Sequence, residues 1–213
     1  MSHPTAEEFL KDVATHEMTV LLDSGPHRHL RFKRPGTMCM HFDVVTWPGY
    51  LAISGDMGCY VFWRLDDMFE FFRSDRGLYI NPGYWSQKVE ARDRSGVTEF
   101  NESTFDARIK ERLVEWIRDH RDSTTREDRR DLWDAVEEQV IRADGDAQGM
   151  RKQIAAHEFC HYVNEEVDEF GFRDLWESNF ESYTYRYLWA CYAIVWGIQQ
   201  YDAASDAAAK AAA

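Results

Sequence analysis

Between residues 29 and 63 the chain repeats one pattern: short runs of alternating apolar and polar residues, each closed by a turn signal. Leu30 and Phe32 alternate with His29, Arg31 and Lys33, and Pro35-Gly36 follows. Met38, Met40, Phe42 and Val44 alternate with Cys39, His41, Asp43 and Val45, and Pro48-Gly49 follows. Residues 50–54 lead into Gly55-Asp-Met-Gly58, and residues 59–63 close the series. Successive strand side chains point to opposite faces, so a period of two broken by Pro-Gly and Gly-x-x-Gly predicts an antiparallel meander. A β-branched run at 19–22, ended by Asp23-Ser24-Gly25-Pro26, precedes it. The expectation is a sheet of four or five strands over residues 17–65.

The rest of the chain reads as mainly helical. Thr5 and Glu8 have the spacing of a capping box, which predicts a helix over 5–15. Asp66 is placed to cap a short helix through Phe72, and residues 84–93 are weakly helical after the Asn81-Pro82-Gly83 turn. Phe105, Ile109, Leu113, Trp116 and Ile117 form one apolar stripe, started by Ser103-Thr-Phe-Asp106. Leu132, Trp133, Val136 and Val140 form another, started by Thr125 with Asp128 three residues on. A third helix is expected over 150–167. The segment 180–201 is apolar nearly all round, which suits a helix at the centre of a fold. Its Trp and Tyr tips need polar partners, for which Arg186, Gln199 and Gln200 are the nearby choices. The predicted architecture is α+β: one domain over 1–202, with the meander at 17–65, a mainly helical 66–202 and a central aromatic C-terminal helix. The Ala-rich 203–213 is expected to fray or be disordered.

Composition narrows the function classes. The 213 residues carry 25 basic and 38 acidic side chains, net −13. Residues 1–100 hold 11 and 14, net −3, and residues 101–213 hold 14 and 24, net −10. Such a chain is a poor non-specific phosphate binder and is suited to basic partners or simply to a solvated acidic surface. Cys39, Cys59, Cys160 and Cys191 are widely spaced without a CxxC pair, which fits a reducing, cytoplasmic setting. The opening residues lack the charged and apolar regions of a secretory leader, and the most apolar stretch, 183–198, is short for a bilayer and contains Arg186. No membrane association is expected.

Two local patterns carry candidate chemistry. His157-Glu158-Phe159-Cys160-His161 is an HExxH. On a helix its histidines share one face and can bind zinc, with Glu158 as general base on the metal's water and Glu181 as a third ligand. On that same helix, however, Ala156, Phe159, Cys160 and Val163 gather on the side opposite His157 and His161. The histidines then fall on the polar stripe, where a solvated face is the simpler reading. The second pattern is basic: Arg28, Arg31, Lys33 and Arg34 could grip phosphate or a partner, with a nucleotide stacked on Trp47 or Trp63. A charged edge strand explains the same residues. Gly55-Asp-Met-Gly58 lacks the pattern of a phosphate loop, and no GxSxG is present.

The stretches HLRFKRPGT (29–37), FDVVTWPG (42–49), SGDMGCYVFWRLDDMFEFF (54–72), INPGYW (80–85) and ESYTYRYLWACYAIVWGIQQYD (181–202) resemble a set of uncharacterised accessory proteins of tailed bacteriophages and prophages. The resemblance implies a cytoplasmic protein of infected bacteria and brings no catalytic residues. The functional expectation is therefore a binding protein whose partner is a host or phage protein, for example an acidic inhibitor of a host nucleic-acid enzyme or defence complex, with no cofactor. The alternatives are a zinc hydrolase built on HEFCH and a nucleotide-binding module built on the basic strand.

Overall fold

The structure, a computed structural model, describes residues 3–143 and 149–212. It is α+β, and it divides into two compact units. The first comprises residues 1–98 and 183–213, the second residues 99–182. Each unit has its own core.

In the first unit, helix α1 (Ala6–Val13) precedes five consecutive strands. These are β1 (Glu17–Ser24), β2 (His27–Lys33), β3 (Phe42–Trp47), β4 (Tyr50–Gly55) and β5 (Gly58–Trp63). Short helices α2 (Met68–Phe72) and α3 (Pro82–Ser86) follow, then β6 (Val89–Arg92). The meander predicted from period two is present as an antiparallel sheet in the order β1-β2-β3-β4-β5-β6. The sixth strand falls where weak helix was expected. After α3 the Val89-Glu90-Ala91-Arg92 alternation pairs with β5, Val61 opposite Ala91. Met38 and Met40 lie outside β3, and Met40 takes a positive φ of 59°.

One face of the sheet is the core. Leu30, Val44, Ile53 and Tyr60 lie in one cross-strand row, each at most 2% exposed. Helix α7 (Tyr185–Ala212) packs on that face through Tyr187, Trp189, Cys191, Ile194, Val195 and Ile198. Gly197 lets it approach closely, since a Cβ there would lie 3.1 Å from the Phe32 ring. The aromatic helix is central, as its all-round apolarity predicts, but it starts at Tyr185 and continues through Ala212, so residues 203–212, expected to fray, are helical, with 203–211 exposed, while residue 213 of the expected tail lies outside the described residues. The polar tips of its aromatics reach past the expected partners: Trp189 Nε1 donates to Asp12 Oδ2 (3.0 Å), Tyr187 Oη to Pro82 O (2.9 Å) and Tyr201 Oη to Asp23.

The second unit begins within β7 (Thr98–Phe100) and contains α4 (Glu102–Asp119), α5 (Arg126–Val136) with a π-helical turn at Glu137–Ile141, and α6 (Met150–Glu158). The hairpin β8 (Cys160–Asn164) and β9 (Asp168–Gly171) follows, with β10 (Glu181–Tyr183) last and paired to β7. Both predicted amphipathic helices are present and their stripes meet each other: Phe105, Ile109 and Leu113 of α4 bury with Leu132, Val136 and Val140. Caps differ by one or two residues from the sequence expectation. Asp67 caps α2 and Asn101 caps α4, while the Thr5/Glu8 and Thr125/Asp128 boxes form as expected.

Helix α6 ends at Glu158, and this corrects the helix expected over 150–167. Phe159 is extended (φ −63°, ψ 123°), and Cys160–Asn164 pair with Asp168–Gly171 as strands. Asn164 Oδ1 accepts from the amides of Glu166 and Val167, both at 3.0 Å, and closes the turn. No helix among the described residues is long and apolar enough to cross a membrane.

Candidate functional site

The helix end at Glu158 separates the two histidines of HEFCH. His157 is on the last turn of α6, whereas His161 is in β8, its ring parallel to that of Phe159 two residues earlier (centroids 6.4 Å, 8°). A ring pair at i and i+2 is strand geometry. The i, i+4 helical face that would let both imidazoles reach one zinc ion is therefore absent. Glu181 sits in β10, its amide bonded to Asn179. Among the described residues no three His, Cys, Asp or Glu side chains are grouped as metal ligands. Cys160, also in the motif, donates through Sγ to Glu169 Oε2 (3.0 Å), and that bond pushes its thiol pKa up, away from a nucleophilic thiolate.

The basic strand resolves into two faces. Arg28 turns to the core side and makes a bidentate pair with Asp67, both bonds 2.9 Å, with its guanidinium over the Phe69 ring. Arg31 points to the opposite face and pairs bidentately with Asp43 (2.9 and 2.7 Å), which also bonds His29 Nε2 (2.8 Å). Burial disfavours the charged form of Asp43, but the hydrogen bonds from Arg31 and His29 outweigh it and hold its pKa below the usual carboxylate range. Arg34 lies past the strand end and donates to Thr15 Oγ1, and Lys33 closes the outward row of β2. The four cations are thus not one patch, and two are answered by carboxylates. Trp47 and Tyr50 stack on the outward face (5.3 Å, 14°), with Trp63 across from Tyr50, as an aromatic ledge beyond the Arg31–Asp43 pair.

A polar concavity lies in the second unit, between the C-terminal half of α4 and the β8–β9 hairpin. It has a volume of about 450 Å³. Helical spacing places Arg112, Glu115, Trp116 and Asp119 along one side of α4, one row away from the buried Phe105, Ile109 and Leu113. The hairpin and the segment after it supply Glu169, Phe170, Arg173 and Asp174. The floor is aromatic. Trp116 stacks on His120 (4.3 Å, 19°) and meets Phe170 edge-on (5.2 Å, 64°). His120 Nδ1 bonds the Trp116 carbonyl (2.9 Å), so Nδ1 carries the proton and Nε2 is the accepting nitrogen of the neutral ring.

The hairpin is held opposite α4 by Asn164, whose Nδ2 donates to Asp128 Oδ2 (2.9 Å) and to Ser123 O (3.1 Å). Asp128 is also the N3 residue of the α5 capping box, so one carboxylate ties a helix start to a hairpin turn. Around the rim, four carboxylates (Glu115, Asp119, Glu169 and Asp174) face two guanidinium groups. Arg112 Nη1 is 3.6 Å from Glu115 Oε2, and Arg112 Nε is buried with no hydrogen-bond partner among the described residues. An acidic rim over aromatic rings is chemistry for a cation: the carboxylates supply charge-assisted acceptors and the rings a π-face.

A separate groove of about 350 Å³ lies along α6, lined mainly by apolar side chains including Phe105, Ile154, Leu175 and Phe180, with His157 at its margin. Burial and charge leave two other cysteines unactivated: burial raises the Cys191 thiol to about 12, and burial with the nearby Asp93 carboxylate raises that of Cys59.

Sequence reasoning does not single out Glu169, Arg173 and Asp174, because they follow a hairpin whose first strand, β8, falls within the helix expected over 150–167. Trp116 and His120, four apart on a helix, were the available signal. No protein family model matches the chain, and neither curated proteins nor solved structures give a significant match.

Proposed function

We propose that this is a phage accessory protein that acts by docking its acidic unit on a basic surface of a host or phage macromolecule. The observation that carries the reading is that charge divides where the structure divides. Residues 1–98 and 183–213 hold 13 basic and 15 acidic side chains, net −2; residues 99–182 hold 12 and 23, net −11. Nearly all the excess charge is therefore on one compact body of 84 residues that has its own core. A field of that strength steers association with basic surfaces and repels nucleic acid, which fits occupation of a groove that otherwise holds a phosphate backbone. The aromatic-floored cleft would take a Lys or Arg side chain projecting from that surface. A partner among nucleic-acid enzymes or defence complexes supplies such surfaces, and a cytoplasmic setting follows from it.

The test is a fluorescence titration of the protein with an Arg-rich peptide at low and high salt. Binding that quenches Trp emission at low salt and weakens as salt rises supports the reading. No binding at low salt overturns it.

A further inference from the structure

We infer that β1 is a dimerisation edge, on which a second copy of this chain pairs its own β1 antiparallel to continue the six-stranded sheet. The inference is independent of the docking reading, since it concerns the other unit.

β1 has β2 as its hydrogen-bonded neighbour and stands at the end of the sheet order. Every second residue of an edge strand turns its N–H and C=O away from its neighbour, so β1 offers half a ladder. Edges of this kind are ordinarily guarded by lysine, proline, a bulge or a covering element, and of these β1 has a bulge between Val20 and Leu22. β1, Glu-Met-Thr-Val-Leu-Leu-Asp-Ser, contains neither lysine nor proline, and seven of its eight residues are exposed. Val20, Leu21 and Leu22 are 47%, 49% and 50% exposed, an apolar centre in a strand whose charges, Glu17 and Asp23, stand near its ends.

The occupant is argued from symmetry and charge. A two-fold pairing centred between Val20 and Leu21 sets Val20 against Leu21, Thr19 against Leu22, Met18 against Asp23 and Glu17 against Ser24. Apolar meets apolar at the axis and no two carboxylates face each other. Moving the axis one step toward the N-terminus, onto Val20, would oppose Glu17 with Asp23, so the charges disfavour that register. The bulge between Val20 and Leu22 falls at this axis and interrupts the ladder there, so the pairing forms on either side of it. The unit bearing β1 has a net charge of only −2, so most of the chain's excess negative charge lies on the other unit.

The experiment is sedimentation equilibrium on the full chain, beside hydrogen exchange of the β1 amides at low and high protein concentration. The expected mass is twice 25.1 kDa at high concentration, with β1 amides gaining protection as dimer forms. Val20→Lys with Leu21→Lys places four ammonium groups at the axis, on side chains already half exposed, and should return the mass to 25.1 kDa with an unchanged circular dichroism spectrum. A wild-type mass of 25.1 kDa at every concentration overturns the inference, as does a dimer whose β1 amides stay unprotected. If the double variant fails to fold, the exchange experiment on the wild type decides alone.

Discussion

Arg28 and Asp67, 39 residues apart in the chain, close a bidentate ion pair in which both N–O distances are 2.9 Å. The pair joins β2 to the N-cap of α2, because Asp67 Oδ1 also accepts from the Phe69 amide (2.9 Å). Phe69 and Tyr201 lie against the guanidinium at 4.5 and 5.6 Å, so a strand, a short helix and the C-terminal half of α7 meet on one cation.

Removing one partner should cost more than removing both. Asp67→Ala leaves the buried guanidinium with only the more distant Asp23 carboxylate (3.9 Å) and α2 uncapped, for a loss of about 2–4 kcal/mol. Arg28→Met with Asp67→Leu retains apolar packing without a stranded charge and should recover part of that loss. Urea denaturation of the two variants gives the comparison. Equal stabilities would show that the pair does not act as a unit.

Acid should weaken the first unit through Asp43 and Asp67. Burial raises both carboxyl pKa values, but hydrogen bonds from Arg31 and His29 to one, and from Arg28 and the Phe69 amide to the other, lower them further, for a net depression. The unfolded chain therefore binds more protons than the folded one in acid. The stabilisation is complete above the unfolded carboxyl pKa of about 4 and is lost as pH falls through the lower folded values. Urea midpoints should be flat from neutral pH down to about 5 and then fall, and Asp43→Asn should make the fall shallower. An unchanged slope in Asp43→Asn would show that the pair with Arg31 contributes nothing to it.

Trp189 should be the costliest aromatic of α7 to truncate. It is 1% exposed, packs edge-on to Phe9 at 5.0 Å and to Phe42 at 5.5 Å, and donates to Asp12. Trp189→Ala is expected to cost about 3–5 kcal/mol, and the partly exposed Trp196 less. Asp12→Ala, which strands the indole N–H, should cost about 1–3 kcal/mol. Thermal melts of the three variants order these effects, and an undiminished melting temperature in Trp189→Ala would contradict the placement of α7 at the core.

HEFCH should not behave as a zinc centre. With His157 on α6 and His161 on β8, protein purified without added metal is expected to contain far less than one zinc per chain, and His157→Ala should change nothing in that count. One equivalent of zinc that disappears in His157→Ala would reinstate the hydrolase reading.

The sheet was legible because its strands alternate cleanly and end in glycine turns, and α7 because it is apolar on every side. The same period-two signal was present at Phe159, His161 and Val163, all inward, against exposed Cys160 and Tyr162. It lost to a five-residue motif that suggests a helix, and the acidic side of the cleft was lost with it. β6 offers four residues of alternation, too few to outweigh a weak helical pattern. The charge asymmetry was visible, but its boundary was not: α7 is nearly neutral and returns to the first unit, so the acidic body is narrower and more highly charged than a simple halving of the chain suggests. On β2 the alternation assigns Arg28 and Arg31 to opposite faces, whereas their partners Asp67 and Asp43 follow only from the fold.

The central claim is that the acidic unit carries the interaction. The direct measurement compares two charge reversals of equal size in the Arg-rich peptide titration at low salt: Glu115→Lys with Glu169→Lys in the cleft, and Glu90→Lys with Asp206→Lys in the first unit. The account predicts at least about a tenfold loss of affinity for the cleft pair and at most about twofold for the other. Equal losses, or a larger loss from the first-unit pair, would contradict it.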